Sequence, residues 1–448
     1  MRAVPALLTL LTLPTLPTMR AWLARAAYST LLRLAMPVYL LRLLWRSRRE
    51  PLYRHHLRER LGFGAAHAPG RLWLHAVSLG ETRAAAALLD ELRLRRPALR
   101  LLLTHGTATG RAAGAALLRE GDAQCWLPYD TPGAVRRFLA RQRPLAGVLM
   151  ETEVWPNLLH GAARAGVPML LANARLSQRS LRKGERFDAL LRPAAASMAL
   201  ALAQTDDDAK RLRAAGAREV QVQGNLKFDM TPPAALLERG RAWRGALAAR
   251  PVVMLAASRE GEEARLLEAW QRLVPGAPRP LLLLVPRHPQ RFDEVEALVR
   301  ARGLAVARRS AWGDVLPPAS ATQADVWLGD SMGEMPAYYA LADLALLGGS
   351  FAPLGGQNLI EAAACGCPLL MGLHTFNFAQ AAELALAAGA AERMADIDAA
   401  LARALALLVE GASGALPEMA RRASAFAATH RGAAARMADA LLARIDPR

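Results

Sequence analysis

The chain has 448 residues, 53% of them hydrophobic, which is enough for two domains with separate cores and too apolar for a disordered protein. Its formal charge of +18 is almost wholly arginine, since Lys183, Lys210 and Lys227 are the only lysines, and just 5% of residues are aromatic. Nucleic acid is disfavoured without basic and aromatic residues interleaved for base stacking, and Cys125, Cys365 and Cys367 cannot build a disulfide framework or a four-ligand metal site.

Half of the charge lies at one end: residues 1–60 hold eleven arginines against Glu50 and Glu59. A basic end beside apolar sequence points to an anionic membrane surface. Residues 26–45 have about the 20-residue length that crosses a bilayer, interrupted by Arg33, Pro37 and Arg42 and succeeded at once by Arg46, Arg48 and Arg49. A spanning segment puts the remainder of the chain in the cytoplasm, and an interfacial one sets the same arginines on anionic headgroups. The first nineteen residues also fit a signal sequence, against which stand the poor cleavage site Ala24-Arg25-Ala26 and the second apolar segment. A start at Met19 is a further alternative. Residues 1–49 are therefore expected to form an N-terminal extension and membrane anchor.

Beyond Arg71, short apolar runs alternate with helical stretches. LWLHAV, LRLLLTH, LAGVLM, PMLLAN, MALALAQ and EVQVQG come first; PVVMLAAS, PLLLLVP, DVWLGD, DLALLGG and CPLLMG come after. This strand and helix repeat predicts two doubly wound α/β domains with parallel sheets covered on both faces, meeting at a cleft. The expected boundaries are 50–230 for a first domain and 231–425 for a second. Residues 426–448 are expected to form a C-terminal helix packing on the first domain, within a helical stretch read over 417–445.

Candidate site residues lie where strands give way to helices. Ser78-Leu79-Gly80-Glu81 fits a capping box, in which Ser and Glu satisfy free backbone donors. The same helix start favours an ionised carboxylate, so Glu81 is equally a candidate base. Glu151 and Glu153 close the strand LAGVLM. In GGSFAPLGGQNLIEAAACGCPLLMG, glycines such as Gly355 and Gly356 permit close approach to a phosphate, Asn358 opens a helix and Glu361 lies one turn inside. Arg287 and His288 come directly after the strand PLLLLV, where a guanidinium can clamp phosphate. Gly333 and Glu334 make another bend before a helix, and Lys227 stands out in a chain so poor in lysine.

Taken together, HAVSLGE, METEVWPN, ANARLS, GNLKFD, AASREGEE, VPRHPQRF, GDSMGEMPAYYALAD and GGSFAPLGGQN through MGLHTFNF resemble the 3-deoxy-D-manno-oct-2-ulosonic acid (Kdo) transferases of lipopolysaccharide synthesis. The resemblance implies a GT-B glycosyltransferase of two Rossmann-like domains that moves Kdo, with inversion, from CMP-Kdo to the lipid A precursor (lipid IVA) at the cytoplasmic face of the inner membrane, with no metal or cofactor. It implies Glu81 as general base and Ser258, Arg259, Arg287, His288, Gly333, Glu334, Gly355, Gly356, Asn358 and Glu361 as donor-binding residues. Ser78, Gly80, Glu151, Glu153, Arg175 and Lys227 become acceptor or cleft candidates. The chain departs from the family's pattern at Gln357, where His is common, and at Leu359 and Ala362, where Pro is common. The nearest rival is a GT-B enzyme using a UDP-sugar and a lipid-linked acceptor; a sugar-nucleotide epimerase and a non-catalytic membrane-surface protein are the others.

Overall fold

In the computed structural model, which describes residues 16–445 apart from 49, 275, 277, 278, 314 and 315, the chain divides into two units. One runs to Asp229 and resumes at Gly432; the other is Met230–Arg431. Residues 1–15, which make up most of the first nineteen residues read as a signal sequence or as preceding a start at Met19, lie outside the described residues.

The first unit opens with α1 (Leu16–Arg46), which takes Pro37 in its interior and is, among the described residues, the one helix long and apolar enough to cross a membrane. Its middle is tied to the domain. The Tyr28 hydroxyl donates to Asp130 Oδ2 at 3.0 Å, and the buried Ser29 hydroxyl donates to Asn157 Oδ1 at 3.1 Å. The outer face stays bare, with Leu34 72% and Trp45 65% exposed.

The seven strands of this unit are β1 (Leu72–His75), β2 (Leu101–His105), β3 (Ala123–Trp126), β4 (Ala146–Met150), β5 (Met169–Ala174), β6 (Leu200–Ala203) and β7 (Val220–Val222). They are all parallel, in the order β3-β2-β1-β4-β5-β6-β7, with Leu72 opposite both Leu101 and Ala146. Both faces are buried, as parallel crossovers require. Leu72 and Leu74 pack under α2 (Leu79–Arg95), while Trp73 faces the other way onto Phe138, ring centroids 4.9 Å apart.

The second unit repeats the plan with β8 (Val252–Ser258), β9 (Leu281–Pro286), β10 (Val306–Arg308), β11 (Val326–Leu328), β12 (Leu344–Leu347), β13 (Leu369–Met371) and β14 (Ala391–Arg393), in the order β10-β11-β9-β8-β12-β13-β14. Both sheets reverse direction beside their first strand, between β1 and β4 and between β8 and β12. Such switch points are where open α/β sheets bind ligands.

The stretch read as one helix over 417–445 is two. Leu416–Thr429 belongs to the second unit, and Gly432, at φ +91°, turns the chain into Ala433–Ile445. That last helix buries Met437, Ala438 and Leu441 in the same core as α2. Asp229 Oδ2 accepts the Ala434 N–H at 2.6 Å, so the two ends of the first unit meet.

Candidate active site

In the first unit the acidic candidates gather at the switch point. Ser78 caps α2, its Oγ accepting the Glu81 N–H at 3.4 Å and donating to Glu81 Oε1 at 3.1 Å. Glu81 Oε2 accepts the Val77 N–H at 2.7 Å, one residue earlier than a standard capping box places it. The turn that holds this carboxylate is buttressed from α3 (Ala108–Ala115). The N–H groups of Gly106 and Thr107 both donate to the Val77 carbonyl, and a Cβ at Gly110 would lie 3.1 Å from that carbonyl oxygen.

Glu151 emerges from β4 with φ +59°, an unusual conformation for a residue with a side chain. Its Oε1 lies 3.5 Å from Lys227 Nζ, and its carbonyl accepts the Arg175 N–H at 3.3 Å. Burial, with Glu151 adding to it, raises the Glu153 carboxyl. For Glu81 burial pushes the carboxyl up to about 7 against the hydrogen bonds from Val77 and Ser78, and Glu151 and Glu153 push the same way. The helix terminus alone predicts a strongly ionised group. Desolvation and like charges outweigh it, which leaves a carboxyl that exchanges protons near neutrality.

Glu81, Ser78, Gly80, Glu151, Glu153, Arg175 and Lys227 thus share one end of one sheet. Asn173, buried and at φ +52°, does not stand out in the sequence. Its Oδ1 accepts the Leu226 N–H at 3.1 Å, which positions the turn Leu226–Asp229 carrying Lys227. A signal exists in ANARLS, since Asn tolerates left-handed backbone better than most residues.

In the second unit the donor candidates lie on the loops after β8, β9, β11 and β12. Ser258 is wholly buried and its hydroxyl donates to Glu263 Oε1 at 2.6 Å, so its side chain is spent on the scaffold; Arg291 completes the group with Nη1 2.7 Å from the same oxygen. Glu262, which sequence reasoning misses, fastens two loops. It accepts the Arg259 N–H at 2.9 Å, and its two oxygens accept the Gly349 N–H at 2.9 and 2.8 Å. The Arg287 N–H donates to the Ser258 carbonyl at 3.0 Å, which draws the end of β9 to the same place. Arg287 and His288 are exposed, and no carboxylate pairs with Arg287 among the described residues. Arg259 Nε lies 3.0 Å from Glu260.

Gly355 and Gly356 adopt φ +90° and +72°, and a Cβ on Gly355 would fall 2.4 Å from the Asn377 amide. Asn358 caps the short helix Leu359–Ala364 by accepting the Ile360 N–H, and Glu361 lies in its first turn. Gly333, at φ +84°, delivers Glu334 into a cluster where Arg239 Nη1 at 2.6 Å and Arg309 Nη2 at 2.9 Å donate to one oxygen. Burial opposes its ionisation, yet hydrogen bonds from Ser331 and the two guanidiniums hold the carboxyl below its ordinary value. Among the described residues no group of three or more His, Cys, Asp and Glu is arranged to hold a metal ion.

Two doubly wound sheets with polar groups collected at their carboxyl ends define an α/β enzyme of the two-Rossmann, GT-B kind. The UDP-GlcNAc 2-epimerase of Neisseria meningitidis shares that fold, with a TM-score of 0.55 and 15% identity over 83% of this chain and 99% of its own. The family model for 3-deoxy-D-manno-octulosonic-acid transferases matches residues 55–230. The 3-deoxy-D-manno-octulosonic acid transferase of Bordetella pertussis is 53% identical over 85% of this chain and 90% of its own, and that of Haemophilus influenzae is 35% identical over 79% and 83%. The chain belongs to the Kdo transferase family, and it is a glycosyltransferase.

Proposed function

We propose that the enzyme transfers Kdo from CMP-Kdo to the lipid A precursor, with inversion, Glu81 acting as general base. The observation that carries this reading is a carboxyl at about 7, held by Val77 and Ser78 at the end of β1. At neutral pH a useful fraction is ionised and still basic enough to take a proton in the transition state. The acceptor hydroxyl loses its proton to Glu81 while its oxygen attacks the anomeric carbon of Kdo. The bond to phosphate breaks and CMP departs with the electron pair. Arg287, exposed and without a carboxylate partner among the described residues, and Arg259 are the cations suited to the departing phosphate. Family membership favours a Kdo donor over the UDP-sugar alternative.

The reading extends to the membrane. A helix whose middle is hydrogen-bonded to Asp130 and Asn157 cannot have that middle in hydrocarbon on all sides, so α1 is assigned to the cytoplasmic interface of the inner membrane, its bare apolar face in the lipid.

The test is mass spectrometry of the lipid A precursor incubated with CMP-Kdo and enzyme, comparing wild type with Glu81→Gln. The glutamine keeps an acceptor for the Val77 N–H and loses the base, so the rate is expected to fall about 10²- to 10⁴-fold. No Kdo addition by folded wild-type enzyme in vesicles would sink the donor and acceptor assignment. Addition undiminished in the variant would leave Glu81 a helix cap.

A further inference from the structure

Along the side of the first unit, α1 does not close fully on its neighbours. Between it and the helices Pro156–Arg164 and Asp188–Ala196 runs a groove of about 540 Å³, walled by Met19, Trp22, Ala163, Leu190 and Pro193. That volume falls in the range of about 300–1,000 Å³ typical of small-molecule sites. Arg25 and His160 also line it, and among the described residues no carboxylate does. Arg25 is half-buried, and burial, together with the neighbouring Arg164, lowers it from its ordinary value. Neither arginine pairs with a carboxylate among the described residues. The groove therefore couples an apolar trench to the Arg25 guanidinium on the helix assigned to the membrane surface, with the exposed Arg164, outside the lining at the end of Pro156–Arg164, as its charged neighbour. That is the complement of an amphiphile with a fatty chain and a phosphate.

We propose that this groove holds one acyl chain of an anionic bilayer phospholipid, with its phosphate on Arg25 and Arg164. The lipid is a resident of the membrane and not the Kdo acceptor, and it wedges α1 onto the domain. The inference rests on the interfacial reading of α1, and the two fail separately: failure to float with vesicles of phosphatidylglycerol and phosphatidylcholine refutes the membrane reading, whereas flotation without a saturable site refutes only this one.

The experiment titrates the full-length protein, in detergent micelles, with phosphatidylglycerol carrying brominated acyl chains. Quenching of Trp22 is read as the difference between wild type and Trp22→Phe. The expected result is saturation at one lipid per chain, weakened about tenfold or more by Arg25→Gln with Arg164→Gln. Ala163→Leu, which fills the trench without touching charge, gives the same loss and guards against misfolding of the double variant. Quenching that rises linearly with lipid and ignores all three substitutions would overturn the proposal, because Trp22 would then merely face bulk lipid. Displacement of the brominated lipid by the lipid A precursor at lower concentration than by unlabelled phosphatidylglycerol would also overturn it, in favour of an acceptor subsite.

Discussion

Glu81 shows how one carboxylate can be both cap and candidate base. Its hydrogen bonds to Val77 and Ser78 fix the position, and its burial among Glu151 and Glu153 sets the proton affinity. If the ionised form is active, kcat/KM rises with pH to a plateau above about 7. Glu153→Gln removes a like charge, so the rising limb is expected to move to lower pH, as pH–rate profiles of the two proteins would show. Gly80 offers a second test. Its φ is unremarkable and an added Cβ would meet nothing closer than Ser78 Oγ at 3.9 Å, so the fold itself has no need of glycine there. Gly80→Ala is expected to keep or raise stability, by up to about 1 kcal/mol in a helix's first turn, yet to raise KM for the acceptor. Unchanged kinetics would separate the acceptor from α2. At this scale the sequence exposes Ser78, Glu81, Glu151 and Glu153, because strand ends and caps have local signatures. Asn173 and Glu262 stay hidden, since the role of each depends on partners more than 50 residues away.

The elements match the sequence pattern where burial is complete. Eleven apolar runs form strands, whereas β3, β10 and β14 have no such signal. All three lie at sheet edges, with short runs that mix in Gln124, Arg308, Glu392 and Arg393 because one side faces water. The break at Gly432 escapes sequence reasoning for another reason: helical spacing on both sides looks continuous, and only the tertiary fold assigns the two helices to different cores. Loops between elements depend on single buttresses. Glu262 gathers the N–H groups of Arg259, Gly349 and Phe351. Glu262→Ala leaves these donors unpaired at about 1–3 kcal/mol each where they stay dry. The expected result is a lower urea midpoint and a raised KM for the nucleotide sugar, with the acceptor KM unchanged. A stable variant with normal donor KM would mean that other contacts shape these loops.

Across the whole molecule, two buried histidines tie stability to pH. His75 Nδ1 lies 2.9 Å from Thr104 Oγ1, His105 Nδ1 lies 3.0 Å from the Ala76 carbonyl, and burial brings their pKa values down to about 3 and about 4. An unfolded histidine titrates near 6.5, so below that pH the unfolded chain takes up protons that the folded one refuses. Their contribution is complete above about pH 6.5 and declines steadily toward pH 4. Urea unfolding at a series of pH values should show this decline, and His75→Gln should flatten it. An equal slope in wild type and variant would place the acid sensitivity elsewhere.

The interrupted first unit has a consequence for synthesis. On the ribosome, Ala433–Ile445 leaves the exit tunnel only after the whole of Met230–Arg431, so the face of α2 that this helix covers waits bare while the intervening unit folds. Nascent chains would therefore expose the core behind Glu81 longest, and a premature stop near the end would cripple the domain encoded first.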